Sequence, residues 1–247
     1  MNEWMAYIIL LFAGAGAGTL NVIAGGGSFL TLPVLIFLGL PPTVANGTNR
    51  IGILLESLTA VYGFSKSGVM DWRAAIWAGL PASLGALIGS FIATNIDDQS
   101  FQKTLAILML VITLVTLWSP IKKSSLKLTP PPKSIFICLA FFLVGIYGGF
   151  VQAGVGFFLL AATTWCGLNL VRGNAVKVLT VFIFTAISLA MFAWEGKVDW
   201  FTGSILAIGF SIGGWLGTHL TLSRGHNWVK RVVTFSIVAF AVKLWFS

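Results

Sequence analysis

The sequence predicts an all-α integral membrane protein built from two inverted repeats. Three observations carry this prediction: a composition poor in charge, a series of long apolar runs, and a motif that recurs in the second half of the chain. The 247 residues are 57% hydrophobic and 9% charged, with a mean hydropathy of +0.95. A soluble domain carries about 25% charged residues, so lipid is the solvent that this composition fits.

Apolar runs occupy most of the chain, and their lengths are close to the roughly 20 residues that a helix needs to cross a bilayer. The run nearest the N-terminus has no basic leader and no evident cleavage site, so it is predicted to remain as a helix rather than to act as a signal peptide. The runs predicted as helices lie at 4–23, 51–64, 74–95, 104–118, 135–148, 178–194, 201–221 and 232–245.

The second half of the chain repeats the first. The segment AGGGSFL at 24–30 returns as AGVGFFL at 153–159, and GVMDW at 68–72 returns as GKVDW at 196–200. The spacing between matching segments is nearly constant along the chain, which predicts a tandem duplication. The predicted parts are an N-terminal transmembrane repeat at 1–119, a cytoplasmic linker rich in Lys and Pro at 120–134, and a C-terminal transmembrane repeat at 135–247.

Charge decides between two orientations of the repeats. If each glycine-broken region is one discontinuous helix, each repeat crosses four times and the repeats are parallel. If the region crosses twice or re-enters, the number of crossings is odd and the repeats are inverted. With the linker in the cytoplasm, the inverted arrangement places eleven of the fifteen basic residues on that side, whereas the parallel arrangement divides them eight to seven. Because basic residues favour the cytoplasmic side, we predict two inverted repeats of about four to five helical segments each, with both termini outside.

A glycine-rich break recurs at the same place in both repeats. Transporters with inverted repeats form binding sites near the bilayer midplane from helices that are broken at matching positions. A broken helix exposes backbone N–H groups at the positive end of its dipole, which favours an anion. Arg50 and Lys177, the basic residues that follow the breaks, have an alternative to a place in this site: their side chains could extend to the lipid headgroups. The predicted anion site consists of Gly25, Gly26, Gly27, Ser28, Asn46, Thr48, Asn49 and Arg50 from the first repeat and Gln152, Gly154, Gly156, Asn174 and Lys177 from the second.

Glu56 is the one acidic residue well inside an apolar run, RIGILLESLTAVYGF. A carboxylate in that position needs a partner, and intramembrane acids tend to be functional. Glu56 is therefore a candidate for proton coupling, and a structural pair with a cation or a backbone group is the alternative.

Two further patterns have structural interpretations. Asp71 and Asp199 each precede a Trp and are predicted to cap the helix that follows. Glycines spaced four apart favour close helix contacts. These glycines are Gly14 with Gly18, Gly85 with Gly89, and Gly209 with Gly213 and Gly217.

The stretch AGGGSFLTLPVLIFLGLPPTVANGTNRIG, repeated more weakly as AGVGFFLLAATTWCGLNLVRGNAVKVLT, resembles the TauE/SafE family of sulfite and organosulfonate exporters. The likeness covers essentially the whole chain, although the second break departs from it with Val155 in place of the central glycine. The resemblance implies a secondary active transporter that exports small sulfur-containing anions across a bacterial or archaeal plasma membrane, driven by the proton gradient. Alternating access around a central anion site fits this function.

Two other functions stay open: a passive small-anion channel and a carrier of another small organic anion. An enzyme is not expected, because the chain has no HExxH, GxSxG or cofactor motif. The formal charge of +8 is scattered over short loops, which indicates topology rather than nucleic-acid binding. Cys138 and Cys166 form no metal motif. The expected partners are a small anion, the lipid bilayer and protons, without a cofactor or metal; the sequence leaves a homodimer open.

Overall fold

The computed structural model describes residues 3–118 and 134–245, so nearly all of the linker predicted at 120–134 lies outside the described residues. Within these ranges the secondary structure is helical, which confirms the all-α prediction. The helices are α1 (Glu3–Ile23), α2 (Ser28–Phe37), α3 (Pro42–Lys66), α4 (Trp72–Asn95), α5 (Asp98–Trp118), α6 (Ser134–Phe150), α7 (Val155–Trp165), α8 (Leu170–Trp194) and α9 (Trp200–Trp245). Helix α9 is interrupted at Gly225, where φ is 70°.

Four of the described helices are long and apolar enough to cross a membrane: α1, α4, α8 and the part of α9 up to Val233. Helices α2 and α7 have 10 and 11 residues, so each is roughly 15 Å long at about 1.5 Å per residue. That is about half of the roughly 30 Å hydrocarbon core of a bilayer. The chain is therefore a multi-pass membrane protein in which the pieces that follow the glycine breaks are too short to span as straight helices.

Helices α3 and α8 begin earlier than the apolar runs indicate. The predicted starts are residues 51 and 178, whereas the observed starts are Pro42 and Leu170. The residues before the predicted starts include Asn, Thr and basic side chains, which lower the hydropathy without breaking the helix. Pro at the first helical position supports the start of α3, and the side chain of Asn169 accepts backbone N–H groups at the start of α8.

Turns at matching places in the two halves of the chain have the same backbone conformation. Gly25 and Gly154 have φ values of 99° and 74°, in the left-handed region that only glycine enters at little cost. The glycines that end α2 and α7, and those that precede α4 and α9, also match in pairs with positive φ: Gly39 with Gly167 and Gly68 with Gly196. The duplicated sequence therefore forms duplicated turns.

The acids predicted to cap helices do so. Asp71 Oδ1 accepts the backbone N–H of Ala74 (2.9 Å) at the start of α4. Asp199 Oδ1 accepts the N–H groups of Phe201 (3.1 Å) and Thr202 (3.2 Å) at the start of α9. Both caps satisfy donors that an isolated helix start leaves unpaired.

Six of the described helices pack as two bundles, and each bundle contains helices from both halves of the chain. The first bundle is α1, α3 and α9, and the second is α4, α6 and α8; they meet along α3 and α8. Gly18 of α1 lies against Phe210 and Gly213 of α9, and Gly89 of α4 lies against Ile146 of α6. The interpretation of the spaced glycines as helix contacts is confirmed.

Helices α3 and α8, which occupy the same place in the two repeats, run in opposite directions. Gly47, near the start of α3, lies against Lys197 just beyond the end of α8. At the other end, Phe64 of α3 packs in one cluster with Ala175 near the start of α8. An antiparallel pair of equivalent helices is the relation that inverted repeats require.

Candidate functional site

The two glycine breaks meet between the bundles. A Cβ atom added to Gly25 would overlap the backbone of Gly156, and one added to Gly156 would overlap the backbone of Gly25. Both positions therefore need glycine for close backbone approach. The structure brings together two breaks that lie in different halves of the sequence.

The carbonyl groups at the end of α1 are bound by side chains from the second half of the chain. The last four carbonyls of a helix have no partner within it, and the first of these bonds within the break. Lys177 Nζ donates to the carbonyls of Asn21 (2.9 Å) and Val22 (2.7 Å). Asn174 Nδ2 donates to the carbonyl of Ile23 (3.0 Å). Two side chains of α8 thus satisfy the remaining three carbonyls.

The end of α6 has the same arrangement with the halves exchanged. Arg50 Nη1 donates to the carbonyl of Gly148 (3.2 Å), and its Nη2 donates to that of Gly149 (2.6 Å). Asn46 Nδ2 donates to the carbonyl of Phe150 (2.8 Å). Each half therefore uses one Asn and one cation to complete the first helix of the other half.

These hydrogen bonds explain why the side chains of Arg50 and Lys177 are buried in the protein interior. Their residues are 0% and 2% exposed, so the alternative in which they reach the headgroups is wrong for this structure. Each cation lies at the negative end of a helix dipole, where positive charge is favoured. Charge-assisted hydrogen bonds to backbone carbonyls also compensate part of the cost of taking a cation out of water.

Arg50 has two further neighbours that tie it to the second break. Its Nη1 lies 3.5 Å from Oε1 of Gln152, and its Cζ lies 4.7 Å from the ring centroid of Phe192, within cation–π range. Gln152 in turn donates from Nε2 to the hydroxyl of Thr185. The guanidinium is held by α6, α8 and the segment between α6 and α7.

A small cavity lies where the bundles and the breaks meet. Its volume is about 10 Å³, which is about what one water molecule requires. The polar part of its wall combines residues of both halves. The lining residues are Asn21, Ile53, Glu56, Ser57, Gln152, Val155, Gly156, Lys177, Val178 and Val181.

Glu56 faces this cavity and is 2% exposed. Its Oε2 accepts a hydrogen bond from Asn21 Nδ2 (3.1 Å), and Lys177 lines the same cavity. Asn21 also accepts, through Oδ1, the backbone N–H of Gly27 (3.2 Å) in the first break. The carboxylate thus has a hydrogen-bonding partner and shares its cavity with the cation Lys177.

Other residues of the predicted site lie around the cavity rather than in its wall. Asn49 Oδ1 accepts from Thr31 Oγ1 (2.7 Å), and Asn49 Nδ2 donates to Ser28 Oγ (3.3 Å), which joins α2 to α3. Thr48 Oγ1 accepts the backbone N–H of Asp199 (2.9 Å). These contacts hold the elements that surround the cavity. The predicted residues outside the cavity wall are Gly25, Gly26, Gly27, Ser28, Asn46, Thr48, Asn49, Arg50, Gly154 and Asn174.

Sequence reasoning missed two polar residues of the cavity, Asn21 and Ser57. Asn21 is a lone amide in an apolar run, shortly before the break, and that position was the available signal. Ser57 is adjacent to Glu56, and within the part of the chain that the structure describes its Oγ has no hydrogen-bond partner. Both lie in the first bundle, opposite Lys177.

The fold is that of a multi-pass helical membrane protein in which the side chain of Lys177 is buried in a cavity between two bundles. The model of the sulfite exporter TauE/SafE family matches residues 10–244. The chain therefore belongs to the TauE/SafE family, as its sequence resemblance predicted.

Individual relatives are described as membrane transporters. A probable membrane transporter protein of Haemophilus influenzae is 28% identical over 241 residues, which cover 96% of this chain and 93% of that protein. The probable membrane transporter protein YfcA of Escherichia coli K12 is 28% identical over 237 residues, covering 96% of this chain and 88% of that protein. The probable membrane transporter protein YunE of Bacillus subtilis is 24% identical over 267 residues, covering 97% of each. No solved structure matches the chain.

Proposed function

We propose that this chain is a secondary active transporter that exports small sulfur-containing anions, such as sulfite or organosulfonates, across the plasma membrane. The observation that carries the proposal is the cavity that Lys177 shares with Asn21 and Gln152 between the two breaks. The family description adds the sulfur oxyanion and the direction of transport.

Lys177 is the proposed centre of the anion site. An ammonium group has three N–H donors, and two of those of Lys177 bind α1 carbonyls. The third donor remains for an oxyanion. The amide of Asn21, the hydroxyl of Ser57 and the start of α7 at Gly156 lie in the same wall. A pyramidal or tetrahedral oxyanion needs several such donors around one cation.

We propose alternating access because the cavity is smaller than the substrate. A volume of about 10 Å³ fits one water, and a sulfur oxyanion with several non-hydrogen atoms needs more space. The α3–α8 contact must therefore open for binding. We propose that the two bundles rock against each other, that the repeats are inverted and that both termini lie outside. The antiparallel α3 and α8 support this arrangement.

Anion binding to the purified protein is the direct test. Sulfite, methanesulfonate, sulfate and acetate are titrated into the wild type and into Lys177→Ala, Arg50→Ala and Lys103→Ala, the last being an exposed basic control. We expect the sulfur oxyanions with a pyramidal or sulfonate group to bind best, and Lys177→Ala to weaken binding at least tenfold while Lys103→Ala retains it. If acetate bound as tightly as the sulfur oxyanions, the proposed selectivity would be contradicted. If Lys177→Ala bound anions as tightly as the wild type, Lys177 would not belong to the site.

Flux measurements separate a carrier from a channel. In vesicles containing the purified protein, a carrier gives saturable uptake of labelled anion and stimulation by unlabelled anion on the other side. A passive channel gives flux that rises linearly with concentration and no such stimulation. Cysteine labelling from either side of the membrane, at the termini and in the linker, tests the orientation.

A further inference from the structure

The two pseudo-symmetric helix ends differ at one position, where one has an acid and the other an aromatic residue. When the two halves are aligned so that Asn46 matches Asn174, Glu56 aligns with Phe184. Phe184 is fully buried, and its ring lies against Gly148 near the end of α6. A carboxylate therefore faces the end of α1, whereas a phenyl ring fills the matching place at the end of α6.

The groups around Glu56 come from each element packed against it. Asn21 faces it from α1, Gly214 from α9, Lys177 from α8 and Gln152 from the segment after α6. Among these, Lys177 alone carries a charge. Asn21 Nδ2 donates to the carboxylate of Glu56 (3.1 Å), and Lys177 lines the same cavity. A carboxylate has the same donor requirements as a sulfonate or sulfite oxygen pair.

We infer that the carboxylate of Glu56 holds the place of the substrate anion and that a substrate binds only when Glu56 has taken up a proton. With Lys177 and Glu56 both charged, the cavity is neutral. A further anion would add a net negative charge in a buried, poorly solvated site, which is costly. A proton from the aqueous side forms an O–H bond on Glu56, and the anion then replaces the carboxylate beside Lys177. The inference rests on the proposed anion site.

The proposed coupling makes the proton and the anion bind together and move in the same direction. One proton and one monovalent anion bind together, so the loaded site has the same charge as the empty site. The pair then moves in one direction without net charge transfer, so net export requires an outward anion gradient that exceeds the inward proton gradient. Movement of the proton and the anion in the same direction differs from the proton-driven export that the family resemblance implies.

Methanesulfonate is the probe for this linkage, because sulfonic acids are strong acids and the probe keeps one negative charge at every pH used. Its dissociation constant is measured for the wild type and for Glu56→Gln between about pH 5.5 and 8.5. We expect the wild-type constant to rise up to about tenfold per pH unit where Glu56 is ionised, and the Glu56→Gln constant to vary little. Calorimetry in two buffers of different ionisation enthalpy should show uptake of about one proton per anion by the wild type.

Glu195→Gln is the matched control, because Glu195 is an exposed acid at the end of α8, and it should retain the wild-type pH dependence. Proton uptake by the wild type tests the inference even if Glu56→Gln fails to fold. A wild type that binds methanesulfonate without proton uptake would overturn the inference and leave the proposed function intact. A wild type that binds no sulfur oxyanion at any pH would overturn both.

Discussion

Arg50→Met should destabilise the protein in the absence of any substrate, because it removes the donors that complete α6. The guanidinium donates to the carbonyls of Gly148 and Gly149 at 3.2 and 2.6 Å. Methionine replaces the aliphatic part of the side chain and has no donor, so both carbonyls lose their partner in a buried region. A predicted role limited to substrate binding would give no such effect.

The magnitude follows from these two bonds. A hydrogen bond to a charged group contributes about 1.5–3 kcal/mol, so the gross loss is about 3–6 kcal/mol. Part of this loss is offset because Met removes the cost of burying a guanidinium. We expect a net loss of about 3 kcal/mol, which lowers the melting temperature by about 6–12 °C at roughly 2–4 °C per kcal/mol for a chain of this size.

Thermal unfolding of the purified protein in detergent, followed by intrinsic fluorescence, measures this change. Arg73→Met is the matched control, because Arg73 is exposed, and it should melt within about 1 °C of the wild type, as expected for a surface substitution. Asn46→Leu removes one neutral hydrogen bond to Phe150 and should cost about 1 kcal/mol. If Arg50→Met had the same melting temperature as Arg73→Met, the capping of α6 by Arg50 would contribute no stability and the prediction would be wrong.

Three further substitutions test the packing around the site. Gly25→Ala should prevent folding or lower the melting temperature more than Arg50→Met does, because the new methyl group meets the Gly156 backbone and the φ angle of Gly25 is 99°. Gly16→Ala is the control: its methyl group meets open space, so the melting temperature should stay unchanged or rise slightly. Equal melting of the two variants would contradict the close contact of the breaks. Asp98→Ala removes the acceptor of both the N–H (2.9 Å) and the hydroxyl (2.7 Å) of Thr43. The free energy of unfolding, measured in urea, should fall by about 1–2 kcal/mol. A fall of less than about 0.3 kcal/mol would show that water replaces this cap.

The helices and the breaks could be predicted from the sequence because they depend on local patterns. Long apolar runs determine α1 and α4, and the repeated glycines mark the places where the chain must turn. The starts of α3 and α8 could not be predicted from hydropathy, because their polar side chains are buried by contacts that form only in the folded protein. Hydropathy averages over those residues and assigns them to loops.

The site was predicted as a set of residues but not as a set of contacts. The sequence places Arg50 and Lys177 near the breaks, yet the groups they bind are backbone carbonyls of helices in the other half of the chain. Backbone carbonyls have no sequence signature. Asn21 and Ser57 were missed for a related reason, since a single small polar residue in an apolar run is common in membrane helices.

The helix-capping contacts also constrain how the proposed transporter can move. Arg50 lies in the first bundle and completes α6 of the second, whereas Lys177 lies in the second bundle and completes α1 of the first. Both contacts therefore cross the surface along which the bundles would separate. Opening at the Lys177 side frees α1 carbonyls, which water can satisfy once the cavity is wet, and it frees donors of Lys177 for an anion. In the proposed mechanism, substrate binding and opening are therefore coupled, because one ammonium group would serve both the closed helix end and the bound oxyanion.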